Sequence, residues 1–127
     1  MPNYDKNLNG ITEKIIGAAY QVGNTLGSGF LEKVYEKALA YELDKIGLTV
    51  QVQYPMKVYY DNIVVGEYYA DLFVEKVIVV ELKSAKAIDD SHLAQCINYL
   101  KATGTEIGLI INFGSKRVQV KRVINDI

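Results

Sequence analysis

The chain has 127 residues, half of them hydrophobic and 23% charged, which fits one globular domain with a real core. Its formal net charge of −1 and pI near 5.8 fall short of the basic balance of most dedicated nucleic-acid binders. No apolar run is long enough for a membrane span, and the polar start MPNYDKNLNG lacks the apolar stretch of a signal peptide. One cysteine, Cys96, excludes an internal disulfide and a cysteine-rich zinc site, so a soluble cytoplasmic protein is expected.

Residues 1–127 are expected to form a single domain, with 1–7 flexible. Leu8, Ile11, Ile15, Ala18, Ala19, Val22 and Leu26 recur at helical spacing and predict a first amphipathic helix. The GSG at Gly27–Gly29 breaks it. A second helix is expected from about Phe30 to Ile46, with Leu31, Val34, Tyr35, Ala38 and Leu39 facing inward and Gly47 at its C-terminal end. The period then changes to two. LTVQVQY alternates as a half-buried strand does, and three more strands are expected after Pro55, turning at Asp61-Asn62 and Glu75-Lys76. VIVV (Val77–Val80) is apolar without alternation, as in a central strand covered on both faces. A third helix follows in IDDSHLAQCINYLKATG, capped by Asp89, Asp90 or Ser91 and stopped by Gly104, with Leu93, Cys96, Ile97 and Leu100 as its apolar stripe. EIGLIINF and RVQVKRV are the last two strands. The expected order is ααββββαββ: an α/β fold with a mixed sheet flanked by helices and a right-handed parallel crossover over 77–112.

VVELKSAK (Val79–Lys86) ends an apolar strand with a carboxylate and an amine two residues apart, so Glu81 and Lys83 should share a face. Alone, this pair reads as an exposed ion pair of little energetic weight. Asp71 changes the balance. If the chain turns at Glu75-Lys76, Asp71 pairs near Val80 and so lies close to Glu81. Two acids that close repel each other unless a cation sits between them. Hard divalent cations such as Mg²⁺ use two carboxylates plus waters and substrate phosphate, and the Leu82 carbonyl is within reach of such a site. An ammonium at Lys83 can orient water and neutralise charge building on a phosphate. Glu32 lies in the first turn of the second helix, where it equally suits the helix dipole. Gln95 and Tyr99, four apart, share one face of the third helix.

Asp71, Glu81-x-Lys83 and Gln95-x-x-x-Tyr99, preceded by a helical Glu32, resemble the PD-(D/E)xK nuclease superfamily in its RecB-type form. GSGFLEKVYE, with Gly29, Glu32 and Tyr35, is similar to the small GxxExxY family, as is LIINFGSKRVQVKRV. The likeness runs from about Ile11 to Ile124. It implies a restriction-endonuclease-like fold and Mg²⁺-dependent hydrolysis of phosphodiesters in nucleic acid, DNA foremost, with Mn²⁺ as a substitute. It implies Asp71 and Glu81 as metal ligands, Lys83 as the catalytic lysine, and Glu32 as an accessory acid that binds metal or orients water. Gln95 would support catalysis, and Tyr99, with Lys86 and His92 nearby, would touch substrate. Ala70 departs from the superfamily's proline, and no histidine stands in an early helix where RecB-type enzymes often carry one. The expected partner is nucleic acid, with no membrane, and a two-fold homodimer would enlarge the small binding surface. The alternative is a nuclease-fold module that binds nucleic acid or a protein partner without cutting.

Overall fold

The computed structural model describes residues 2–125, with side chains from residue 8 onward. The expectation of a flexible segment over 1–7 concerns Met1 and side chains outside the described residues. Helix α1 spans Pro2–Leu26 and so begins upstream of Leu8, where the apolar spacing starts. It is followed by α2 (Glu32–Lys45), β1 (Val50–Tyr60), β2 (Ile63–Val74), β3 (Ile78–Lys83), α3 (Asp90–Thr103), β4 (Ile107–Asn112) and β5 (Gln119–Ile124).

The five strands lie in the order β1-β2-β3-β4-β5, antiparallel except for the parallel pair β3–β4, whose connection carries α3. This is the mixed, helix-flanked sheet expected from the sequence, with one strand fewer. Residues on either side of Pro55 form one strand, not two. Proline lacks only its N–H, and β1 is an edge strand paired on one side alone, with Pro55 opposite Tyr69. The turn at Asp61-Asn62 falls as expected, and Glu75-Lys76 turns the chain back into β3. All four residues have positive φ (49°, 65°, 53° and 57°), the conformation that matches the twist of antiparallel strands.

Two cores sandwich the sheet. On one face, Ile15, Ala19 and Val22 of α1 and Tyr35, Leu39 and Leu43 of α2 pack on Leu72, Ile78, Val80, Leu109 and Ile111. On the other, Cys96, Tyr99 and Leu100 of α3 pack on Phe73, Val79, Ile110 and Val123. Strands β3 and β4 therefore have apolar residues on both faces, which explains their unbroken hydrophobic runs. The inward set of α2 differs from expectation. Leu31 is 80% exposed and Val34 38% exposed. The helix begins at Glu32, and the phase set by Tyr35, Leu39 and Leu43 carries Glu36 into the interior instead.

α3 is capped by Asp89, whose carboxylate accepts from the N–H groups of Ser91 and His92, and it ends at Gly104 in the left-handed conformation. At the far edge of the sheet, Arg122 of β5 reaches back to Thr12 and Asn9 of α1. Among the described residues, no helix is long and apolar enough to cross a membrane.

Candidate active site

The β2–β3 ladder pairs Val74 with Ile78, Phe73 with Val79 and Leu72 with Val80. The next pair in that register is Asp71 opposite Glu81, one step beyond Val80. There the strands part, and side chains replace backbone acceptors. Leu82 N–H donates to Asp71 Oδ2 at 2.8 Å, and Asp71 N–H donates to Glu81 Oε2 at 3.1 Å. The two carboxylates thus stand together in the mouth of the opened sheet, each anchored by a backbone N–H.

Both are pushed toward the neutral form. Burial raises the Glu81 carboxyl to about 8, and repulsion from Asp71 adds to it. Burial also raises Asp71, against the lowering effect of its bonds from Leu82 N–H and Gln53, while Glu36 and Glu32 push it further up. Such a pair is short of positive charge. Its donors are hard oxygens, and two carboxylates plus water suit Mg²⁺ or Mn²⁺. The chemistry of the donor set therefore fits a divalent cation. Among the described residues, no group of three His, Cys, Asp or Glu side chains stands close enough to form a metal cage. The cation would be held by Asp71 and Glu81, with solvent or substrate oxygens completing its shell.

Lys83 follows on the same face of β3, and its ammonium donates to Gln95 Oε1 at 3.2 Å. Gln95 is exposed on α3, one turn before the buried Tyr99. Burial, with Glu81 and Asp71 adding, raises the Tyr99 phenol to about 12, so it stays a hydrogen-bond donor. Glu32 is exposed at the start of α2, and its charge reaches both Asp71 and Glu81. Lys86 is exposed in the loop after β3. His92 accepts the Asp89 N–H at Nδ1 as part of the α3 cap, so that nitrogen's lone pair is already used. Cys96 is fully buried, and burial raises its thiol to about 12, an inert core group. Asp71, Glu81, Lys83, Gln95 and Tyr99 are brought together. Glu32 stands at their edge, and Lys86 and His92 lie on the neighbouring loop and cap.

The loop that carries Glu32 is fixed from three sides. Gly27 and Gly29, at φ 71° and 113°, turn the chain between α1 and α2. The Tyr35 hydroxyl donates to Gly27 O at 2.6 Å and accepts Phe30 N–H, while its ring stacks on Phe113 at 4.5 Å. Ser84 donates to Phe30 O, tying this loop to the segment after Lys83. That segment is held in turn by Asn112, which bonds the Ala85 N–H and carbonyl, each at 2.9 Å. Gly114 lets the two backbones touch, since a Cβ there would lie 2.4–2.5 Å from Ala85 atoms.

Sequence reasoning missed Gln53 and Glu36. Gln53 sits mid-strand in β1 at φ 52°, a left-handed geometry that costs a non-glycine residue roughly 1–2 kcal/mol. Its amide donates to Glu36 Oε2 at 2.6 Å and to Asp71 Oδ1 at 3.3 Å, orienting the Asp71 carboxylate. Glu36, only 4% exposed, also takes an ion pair from Lys33. Its place one turn after Glu32 was the available signal. Gln53→Gly keeps the backbone conformation and deletes the bridge. It should leave urea stability within about 1 kcal/mol of the parent, because relieved φ strain offsets the lost bonds. Cation affinity or cleavage rate should fall about ten-fold, the usual effect of removing a ligand's supporting partner.

A three-layer α/β sheet thus opens onto two paired acids with a lysine beside them. The family model of the PD-(D/E)XK nuclease superfamily matches residues 9–123, and the chain belongs to that superfamily. Among solved structures it is similar to one described as the crystal structure of SSO0001, with a TM-score of 0.55 and 17% identity. The match covers 75% of this chain and 50% of that one, and at this identity it supports the shared fold alone. A comparison with curated proteins found no match.

Proposed function

We propose that the chain hydrolyses phosphodiester bonds in nucleic acid, DNA foremost, using Mg²⁺ or Mn²⁺ held by Asp71 and Glu81. The observation that carries this reading is the opposition of those two carboxylates across the parted β2–β3 strands, with Lys83 next on the same face. Its GxxExxY-like residues support it, since Tyr35 of that motif anchors the Gly27–Phe30 turn that presents Glu32.

A bound divalent cation supplies Lewis-acid chemistry at the scissile phosphate. The chain's own groups do the rest. Asp71 and Glu81 hold the cation, with Gln53 and the Leu82 N–H fixing Asp71. Lys83, steadied by Gln95, offsets the negative charge that grows on the phosphate and orients water for attack. Glu32 provides a further carboxylate at the rim for water. Tyr99 donates from the buried side.

The alternative, a module that binds without cutting, draws on the net charge of −1 and on the lack of a third grouped acid among the described residues. One assay separates them. Cleavage of labelled single- and double-stranded DNA and RNA is followed with Mn²⁺ or Mg²⁺ for the parent and Asp71→Asn. We expect cation-dependent cleavage that falls at least a hundred-fold in Asp71→Asn, with the fold retained. Activity unchanged by the substitution contradicts the mechanism, and binding without any cleavage favours the alternative.

A further inference from the structure

Beside the paired acids, a groove of about 830 Å³ runs between the outer half of the β1–β2 hairpin and α3. Its volume lies within the range of small-ligand pockets. One wall carries Lys57, Tyr59 and Tyr68, and the other carries Gln95, Tyr99 and Lys101. Tyr59 is 61% exposed and Tyr68 47% exposed, although tyrosine rings gain from burial. The ladder shifts register between Val58 and Tyr59, and both of these consecutive residues line the groove. The extra residue that shifts it is Val65 of β2, which also lines the groove. Tyr68 lies 5.8 Å from the Tyr99 ring, at a tilt of 46°.

The charge in the groove has one sign. Two lysines line it and no carboxylate does, in a chain whose net charge is −1. The groove is also continuous with the candidate site, because Gln95 holds the Lys83 ammonium and the Tyr99 phenol lies in the field of Glu81. Exposed aromatic faces, a few cations and a path to a phosphodiester-cleaving centre suit unpaired bases with their phosphates. A duplex hides its base faces and is held by many phosphate contacts spread over a basic surface, which this groove does not offer.

Resting on the nuclease reading above, we infer that the groove binds single-stranded nucleic acid. Bases stack on Tyr59 and Tyr68, Lys57 and Lys101 meet phosphates, and the strand is led toward Asp71, Glu81 and Lys83.

The test is fluorescence anisotropy of the full chain without divalent cation, using a short labelled oligothymidine, an abasic strand of equal length and a duplex. The oligothymidine should bind at least ten-fold tighter than either of the others. Tyr59→Ala and Tyr68→Ala should each weaken it about ten-fold, the usual worth of one base-stacking ring, while Tyr68→Phe retains it. Lys101→Glu should weaken it and flatten its salt dependence. Thermal unfolding checks that each variant is folded. Equal binding of the abasic strand, preference for duplex, indifference to both tyrosines, or no binding overturns the inference. So does self-association of the parent that Tyr59→Ala abolishes, since a second copy would then cover the groove. Tight, ring-dependent binding without cleavage leaves this inference standing and removes the nuclease reading. Cleavage that ignores both rings does the reverse.

Discussion

Lys83→Ala should abolish most cleavage while leaving the fold intact. The ammonium's hydrogen bond to the exposed Gln95 contributes under about 1 kcal/mol. Its stem lies at the end of β3, beyond the fully buried run. Stability in urea should therefore hardly move. Cleavage should fall about 10²- to 10³-fold, the size of effect seen when one group that stabilises developing charge is removed. The loss should appear in single-turnover rates at saturating substrate, because Lys83 acts on charge that grows in the transition state. Lys83→Arg keeps the charge but changes its geometry, and should recover only part of the rate. A Lys83→Ala variant that cleaves at the parental rate would remove the lysine from the mechanism.

The second large effect concerns Glu81. Its carboxyl titrates near 8 in the fold, against 4.5 as its ordinary value. Between these values the native state holds a proton that the unfolded state releases. Cation-free stability should therefore fall as pH rises from about 5 through 8, by up to about 1.4 kcal/mol per pH unit. Burial of Asp71 works in the same direction. Glu81→Gln removes the charge and keeps an oxygen to accept Asp71 N–H. At pH 9 it should stabilise the cation-free protein by about 2 kcal/mol, or roughly 8 °C in Tm. It should also abolish the gain in stability that Mn²⁺ gives the parent. Calorimetry adds a further signature. Cation binding to the parent near pH 7 should release close to one proton, seen as a dependence of the heat on buffer ionisation enthalpy. Parental stability that rises with pH over this window contradicts the assignment.

These effects set stability against function. Two acids with a lysine nearby are costly without a cation, and the Leu82 N–H and Gln53 offset part of that cost at Asp71. The strain at Gln53 points the same way, since its unfavourable φ positions the amide that orients Asp71.

Much of this was legible in the chain because it depends on local pattern. Asp61-Asn62 and Glu75-Lys76 marked turns, and counting back from the second placed Asp71 close to Glu81, one step from the partner that register then gave. The apolar runs of β3 and β4 announced central strands. Other features depend on context that spacing does not carry. Pro55 suggested a break, yet an edge strand has no partner on its open side for the missing N–H to reach. Leu31 and Val34 looked like core until α2 began at Glu32 and its phase buried Glu36. Gln53 is one of two alternating glutamines in VQVQY, and only its backbone conformation and its neighbours Glu36 and Asp71 set it apart. The tyrosines of the hairpin looked like ordinary strand residues, and only the packing of α3 against that hairpin sets Tyr59 and Tyr68 along a groove.

The central claim is that Asp71 and Glu81 together hold the divalent cation of a phosphodiesterase. A crystal of the protein soaked in Mn²⁺, with anomalous scattering recorded at the manganese edge, tests it most directly. The account predicts a peak shared by the Asp71 and Glu81 carboxylates, close to the Leu82 carbonyl, and no such peak in Asp71→Asn. Manganese bound elsewhere with that position vacant, or a peak that persists in Asp71→Asn, would contradict it.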